Sequence, residues 1–198
     1  MSTAAILAGG RARRLGGRPK ALLPLGKHRI IDRQINALRP VVDEIVIIAN
    51  ESEIYAKCGI PVCNDILPGH GPLSGLHTAL VVSNSMQVLV LGGDMPFVTT
   101  DFLKCLLDQG RNVELGIPLS AGGYQPLCAS YQRVCVEVVE QQINSGTRQM
   151  TELIRHTDTQ TLSSNNLAQF DPYGTLFFNI NTPADYARAL GLAAYYDS

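Results

Sequence analysis

The sequence predicts an α/β layered fold, a mostly parallel central sheet covered by helices, formed as a single domain over residues 1–198. Three observations predict it. Short runs rich in Val, Ile and Leu recur along the chain, and segments with helical spacing of apolar residues separate them. The runs are continuously apolar rather than alternating, as strands buried on both faces are. A chain of 198 residues can bury one full core, and it contains no repeat or linker that marks a boundary.

Taken in order, the first strand is expected at Ala4 to Ala8, followed by a Gly/Arg loop. A helix then carries Ile31, Ile35 and Leu38, whose i, i+4, i+7 spacing makes one apolar face, and ends near Pro40. Glu44 to Ala49 reads as the second strand, Ile60 to Asn64 as a shorter third and Gln87 to Leu91 as the fourth. Between the last two, the turn-forming Gly69-His70-Gly71-Pro72 opens a helix with Leu73, Leu76 and Leu80 on one side. Thr99 or Thr100 caps the next helix, which carries Phe102, Leu103, Leu106 and Leu107. In the second half, strands are expected at Val113 to Ile117 and Leu127 to Tyr131, then helices over Arg133 to Ile143 and Thr147 to Arg155. Phe177 to Ile180 reads as a further strand, and Thr182-Pro183-Ala184-Asp185 as a helix start with Thr182 as cap.

Composition narrows the function classes. The five cysteines are odd in number and form no Cys-x-x-Cys pair, which argues against a disulfide framework or a zinc site and for reduced, small apolar residues. No basic residue precedes the short apolar run at the start, and no stretch approaches the ~18 apolar residues that span a membrane. A cytoplasmic protein without a membrane partner is expected. Net charge is −1, yet residues 1–40 hold nine Lys and Arg against Asp32 alone, +8, leaving −9 for the remainder. Nucleic acid calls for a wider basic face, so the local positive end points to a small phosphate-bearing molecule.

In open α/β sheets ligands collect beyond the carboxyl ends of the strands. Here the first strand runs into Gly9-Gly10, the second ends at Asn50, the third at Asp65 and the fourth at Gly92-Gly93-Asp94. The segment from Leu7 through Arg14 to Lys20 combines glycines, which let backbone amides approach phosphate oxygens, with cations that neutralise them. It is neither a Walker A loop nor the Gly-x-Gly-x-x-Gly of dinucleotide folds, which disfavours an NAD-linked oxidoreductase. Asp94, a carboxylate after a buried strand and two glycines, suits a magnesium ion that takes few protein ligands; the alternative is a turn or helix cap before Met95-Pro96. Taken alone, Asn50 and Asp65 read as turn formers at strand ends. His70 and His77 read as loop and helix-face residues rather than catalysts.

The pattern Leu-Ala-Gly-Gly-x-x-x-Arg-hydrophobic-Gly, followed by Lys20 and Leu23-Pro24-Leu25, resembles the signature of the MobA-type nucleotidyltransferases, the molybdenum cofactor guanylyltransferases among them. Gly71-Pro72-Leu73-Ser74-Gly75, Asp94-Met95-Pro96, Gln125-Pro126-Leu127 and Asn179-Ile180-Asn181-Thr182-Pro183 follow in the family's order, so the likeness covers nearly the whole chain. It implies the three-layer, Rossmann-like nucleotidyltransferase fold, with a nucleotide-binding part over roughly 1–110 and an acceptor-side part over roughly 111–198. It further implies that Leu7, Ala8, Gly9 and Gly10 contact the nucleotide, that Lys20 meets its phosphates with Arg14, and that Asn50 and Asp65 contact the guanosine portion. Asp94 matches both a nucleotide contact and the magnesium ligand; Gln125, Pro126, Asn179 and Asn181 match the pterin side. Gly93, where relatives commonly carry cysteine, and Leu25-Gly26-Lys27-His28 depart from the pattern.

The reaction this implies is transfer of GMP from GTP to the terminal phosphate of molybdopterin with release of pyrophosphate, with Mg2+ as cofactor. Arg14, Lys20 and Asp94 are its catalytic residues, and transient contacts with proteins that supply and accept the cofactor accompany it. The alternatives are a molybdenum cofactor cytidylyltransferase, a sugar-phosphate nucleotidyltransferase and a non-catalytic GTP-binding protein of the same fold. Relatives that use CTP more often carry Leu-Ala-Ala-Gly, so Gly9 points to GTP.

Overall fold

The structure, a computed structural model, describes residues 1–9 and 17–196. Its elements are β1 (Ser2–Leu7), β2 (Pro24–Leu25), β3 (His28–Arg29), α1 (Ile30–Leu38), β4 (Glu44–Ile48), β5 (Val62–Cys63), α2 (Pro72–Val82), β6 (Gln87–Gly92) and α3 (Thr100–Gln109). There follow β7 (Leu115–Ser120), β8 (Gly123–Tyr124), β9 (Cys128–Gln132), α4 (Cys135–Asn144), β10 (Thr159–Leu162), α5 (Ser164–Leu167) and α6 (Pro183–Tyr196). Short 3-10 turns cover Lys20–Leu22, Ser52–Cys58 and Met150–Arg155.

The main sheet runs β5-β4-β1-β6-β9-β7-β10, with β8 paired to β7. β5, β4, β1 and β6 are mutually parallel, β9 is antiparallel to both neighbours, and β10 is parallel to β7. Side chains that alternate along these strands feed two cores. Ala4, Ile6, Ile47, Leu89 and Leu91 pack with Ile31, Ile35 and Leu38 of α1 and Phe102, Leu103 and Leu106 of α3. Ala5, Val46, Ile48, Val88 and Val90 pack with Leu73, Leu76 and Leu80 of α2 and Val139 and Ile143 of α4. Burial on both faces explains why the runs read as uninterrupted apolar segments, and it gives the three layers. A third cluster joins Leu23, Leu25 and Ile30 to Phe97, Ile180 and the α6 residues Ala189 and Ala193.

Several expected elements differ in the structure. Phe177 to Ile180 forms no strand: Phe178 N–H bonds to the Thr175 carbonyl and Ile180 N–H to the Asp94 carbonyl, so the run is a partly buried loop tied to the β6 turn. Thr147 to Arg155 holds the 3-10 turn Met150–Arg155 in place of an α-helix. The strand expected at Val113 begins at Leu115 and runs to Ser120. Leu25-Gly26-Lys27-His28 is a hairpin, with Gly26 at φ 64° between β2 and β3. All five cysteines are free, and no helix among the described residues is long and apolar enough to cross a membrane.

Candidate active site

Register places the site. Leu7 pairs with Ile48 and with Gly92, and Ile48 with Cys63, so four parallel strands end side by side. The residues that follow them, Ala8-Gly9, Ala49-Asn50, Asp65 and Gly93-Asp94, emerge along one edge and line a cleft of about 700 Å3, a size typical of small-molecule sites. The N-terminus of α2 closes one side with Pro72, Ser74 and Gly75. Gly71, at φ 63°, turns the chain into that helix.

Lys20 opens a 3-10 turn anchored by buried Ala21, and its ammonium reaches Asp94 Oδ2 at 3.1 Å and Asn181 Oδ1 at 2.5 Å. The Lys20 and Asp94 side chains are both 23% exposed, so the pair is partly shielded yet open to a ligand. Glycines make this possible. A Cβ on Gly92 would come within 3.2 Å of Asp94 Oδ1, and one on Gly93 within 3.1 Å of the Ala8 Cα and the Leu7 carbonyl. Gly93 N–H in turn bonds to the Leu7 carbonyl, locking the two strand ends together.

The β1 turn is braced from below. Ala8 N–H bonds to the Ile48 carbonyl, and the Tyr55 hydroxyl donates to the Ala8 carbonyl at 2.9 Å. Burial pushes the Tyr55 phenol up to about 12, so it stays a donor through the neutral range. Across the cleft, Asn50 Nδ2 donates to Asp65 Oδ2 at 2.8 Å and Asp65 N–H to Asn50 Oδ1 at 2.9 Å, a reciprocal pair that fixes the carboxylate. Asn181 precedes α6, whose start is capped: Asp185 accepts from the Asn181 and Thr182 amides, and Thr182 Oγ1 accepts from the Asp185 amide. The Asn181 amide first, and Thr182 next, hold the Asp185 carboxyl below the usual carboxylate range.

Leu7, Ala8, Gly9, Lys20, Asn50, Asp65 and Asp94 therefore share one cleft, with Asn181 at its rim through Lys20. Gly10 and Arg14 lie outside the described residues. Gln125, Pro126 and Asn179 are turned to other partners. Gln125 Nε2 bonds to Ser120 and Gly123 in the β7–β8 hairpin, the Pro126 carbonyl accepts from Tyr131, and Asn179 Nδ2 bonds to the Phe177 carbonyl. Leu127 lines the cleft instead. Arg148 also lines it, reaching in from the loop after α4. Sequence reasoning assigned that arginine to a helix; Gly146 two residues earlier, at φ 78°, was the available sign of a loop.

Among the described residues there is no group of three or more His, Cys, Asp or Glu side chains that could hold a metal. A zinc site needs such a set; magnesium, which draws most of its ligands from water and phosphate, does not. Asp94, given room by Gly92, fits the second case.

The family profile of the MobA-like NTP transferase domain matches residues 4–161. The "Probable molybdenum cofactor guanylyltransferase" of Pelotomaculum thermopropionicum is 32% identical over 97% of this chain and 93% of its own length. The "Molybdenum cofactor guanylyltransferase" of Desulfosudis oleivorans is 30% identical over 94% and 93%. The crystal structure of molybdopterin-guanine dinucleotide biosynthesis protein A from Archaeoglobus fulgidus is 25% identical, with a TM-score of 0.83 over 98% of this chain and 100% of that one.

Proposed function

Since the chain belongs to the MobA-like NTP transferase family, we propose that it is a molybdenum cofactor guanylyltransferase, which transfers GMP from GTP to the terminal phosphate of molybdopterin. The observation that carries this reading is the Lys20–Asp94 pair, at 3.1 Å, standing beside the turn that follows β1. A cation and a carboxylate so placed suit a triphosphate and its counter-cation.

In the reaction an oxygen of the pterin phosphate forms a bond to the α-phosphorus of GTP, the bond from that phosphorus to the β-bridging oxygen breaks, and its electron pair leaves with pyrophosphate. The attacking phosphate is largely ionised at neutral pH, its second pKa being about 6. No general base is needed, so the chain's work is to position the reactants and to offset charge. Lys20 neutralises the polyphosphate, and the backbone of Leu7, Ala8, Gly9 and Gly10, with Arg14, cradles it. Asp94 would hold Mg2+, which when bound supplies Lewis-acid neutralisation of phosphate oxygens.

Asp65 offers carboxylate oxygens to the ring N–H and exocyclic amine of guanine, and Asn50 keeps them in place at 2.8 Å. Cytosine presents a ring acceptor where guanine presents a donor, which favours GTP. On the acceptor side, Asn181 and Arg148 meet the pterin's anionic end, and the segments that carry Gln125, Pro126 and Asn179 contribute to the same substrate's binding. The work is done in the cytoplasm, with transient contacts to proteins that supply and accept the cofactor.

Pyrophosphate release from GTP, Mg2+ and molybdopterin tests the reading. Asp94→Ala is expected to lose about 100-fold or more in turnover, with Tm within about 4 °C of the parent. Full magnesium-dependent transfer by Asp94→Ala would remove Asp94 from the chemistry.

A further inference from the structure

We propose that Gln34 is a positioning residue for Asp94: its buried amide holds the two carbonyls that bracket the aspartate and so sets where the carboxylate points. This rests on the reading of the cleft given above. The buried face of α1 consists of Ile30, Ile31, Gln34, Ile35 and Leu38, and Gln34 is its only polar member, fully buried at 0% exposure. Its Nε2 donates to the Gly92 carbonyl at 2.7 Å and to the Met95 carbonyl at 3.0 Å. Between those carbonyls lies the turn that carries Asp94, closed by Met95 N–H to the Gly92 carbonyl at 3.3 Å.

The other end of the same amide shows what holds the glutamine in place. Gln34 Oε1 is buried with no hydrogen-bond partner among the described residues, an arrangement that lowers stability relative to an apolar residue of similar size. Packing alone would be better served by leucine or methionine, so the amide is accounted for by what Nε2 does. Two carbonyl dipoles converge on one point and repel unless a donor lies between them. The turn also begins with two glycines, whose backbone freedom is limited on the strand side by Gly92 N–H on the Leu127 carbonyl and Gly93 N–H on the Leu7 carbonyl, leaving the stretch from Asp94 to Met95 to be held by other groups. The Asp94 carbonyl is itself held by Ile180 N–H at 3.1 Å. With Gln34 holding the Gly92 and Met95 carbonyls and Ile180 the Asp94 carbonyl, the carboxylate is held facing Lys20, 3.1 Å away. A displacement of ~1 Å at such a group is enough to cost roughly 100-fold in rate.

Gln34→Met keeps volume and helix propensity but cannot donate. Its Tm is expected within about 3 °C of the parent, because losing the orphaned Oε1 offsets orphaning the Met95 carbonyl. Turnover in the pyrophosphate assay should fall about tenfold or more, and the Mg2+ concentration for half-maximal rate should rise several-fold. Two readouts need no turnover: hydrogen exchange at the Met95 amide, which bonds to the Gly92 carbonyl, should quicken about tenfold, and calorimetric binding of GTP with Mn2+ should weaken. A glutamine that only packs would move Tm and leave metal dependence unchanged, and that pattern overturns the proposal, as does exchange equal to the parent's. If Gln34→Met does not fold, Gln34→Leu carries the same readouts; failure of both to fold assigns Gln34 to the core and also overturns it. Should the parent protein release no pyrophosphate from GTP and molybdopterin, the reading of the cleft fails, while amide exchange still decides Gln34.

Discussion

Single side chains divide the labour between chemistry and support. Lys20, Asp94 and Asp65 face the cleft, whereas Tyr55 and Gln34 lie beneath its floor and act on backbone carbonyls of Ala8, Gly92 and Met95. Away from the cleft, Arg29 grips Asp32 through Nε at 2.7 Å and Nη2 at 2.6 Å, and its amide donates to the same carboxylate at the start of α1. The Arg29 side-chain bonds are the largest cause, with the Arg29 amide assisting, that hold the Asp32 carboxyl below its ordinary value. A depressed folded pKa gives stability that is present above the unfolded value of about 3.9 and is lost as pH falls through the folded one. Asp32→Ala should therefore lower Tm by about 3 °C at pH 7, from a loss of about 1 kcal/mol. That gap should narrow as pH falls below the unfolded value; thermal melts across this range check it, and a gap constant with pH would contradict it. Lys20 and Asp94 were legible in the sequence because glycines after an apolar run announce a ligand edge. Gln34, Tyr55 and Arg148 were not, since a polar residue in a helix or loop carries no mark of which carbonyl or cleft its tip reaches.

Among the elements, α6 ties the C-terminal segment to the site. Its cap fixes Asn181 one residue before Thr182, and Asn181 accepts from the Lys20 ammonium that also bonds Asp94. Thr182→Ala removes the acceptor for the Asp185 amide and should cost about 1 kcal/mol, or about 3 °C in Tm, measurable by calorimetry; an unchanged Tm would deny the cap any weight. Thr182 and Pro183 were readable because capping chemistry is local in sequence. Phe177 to Ile180 misled for the opposite reason: Ile180 is buried and Phe177 and Phe178 partly so in a loop packed against the cores, and the Phe178 and Ile180 amides bond to Thr175 and Asp94 rather than to a strand. The strand β10, Thr-Gln-Thr-Leu, went unseen because it lies at the sheet edge, pairs with β7 alone and buries only Leu162.

On the scale of the whole molecule, one feature of the topology makes the site: β5, β4, β1 and β6 end in register, so residues 9, 50, 65 and 94, far apart in sequence, reach one cleft. The fold was legible to this extent because parallel strands buried on both faces give uninterrupted apolar runs, and each run's end could be read as a site position. The direction of β9, antiparallel to β6 and β7, depends on pairings between distant segments, which no local pattern encodes. Mass spectrometry of the product formed from the purified protein, Mg2+ and molybdopterin, with GTP and CTP supplied together in equal amounts, bears most directly on the proposed reaction. The expected product is molybdopterin joined to GMP through a diphosphate, one pyrophosphate accompanying each transfer and the cytosine adduct at a small fraction of it. A dominant cytosine adduct, or none with either nucleotide while both bind, would contradict it.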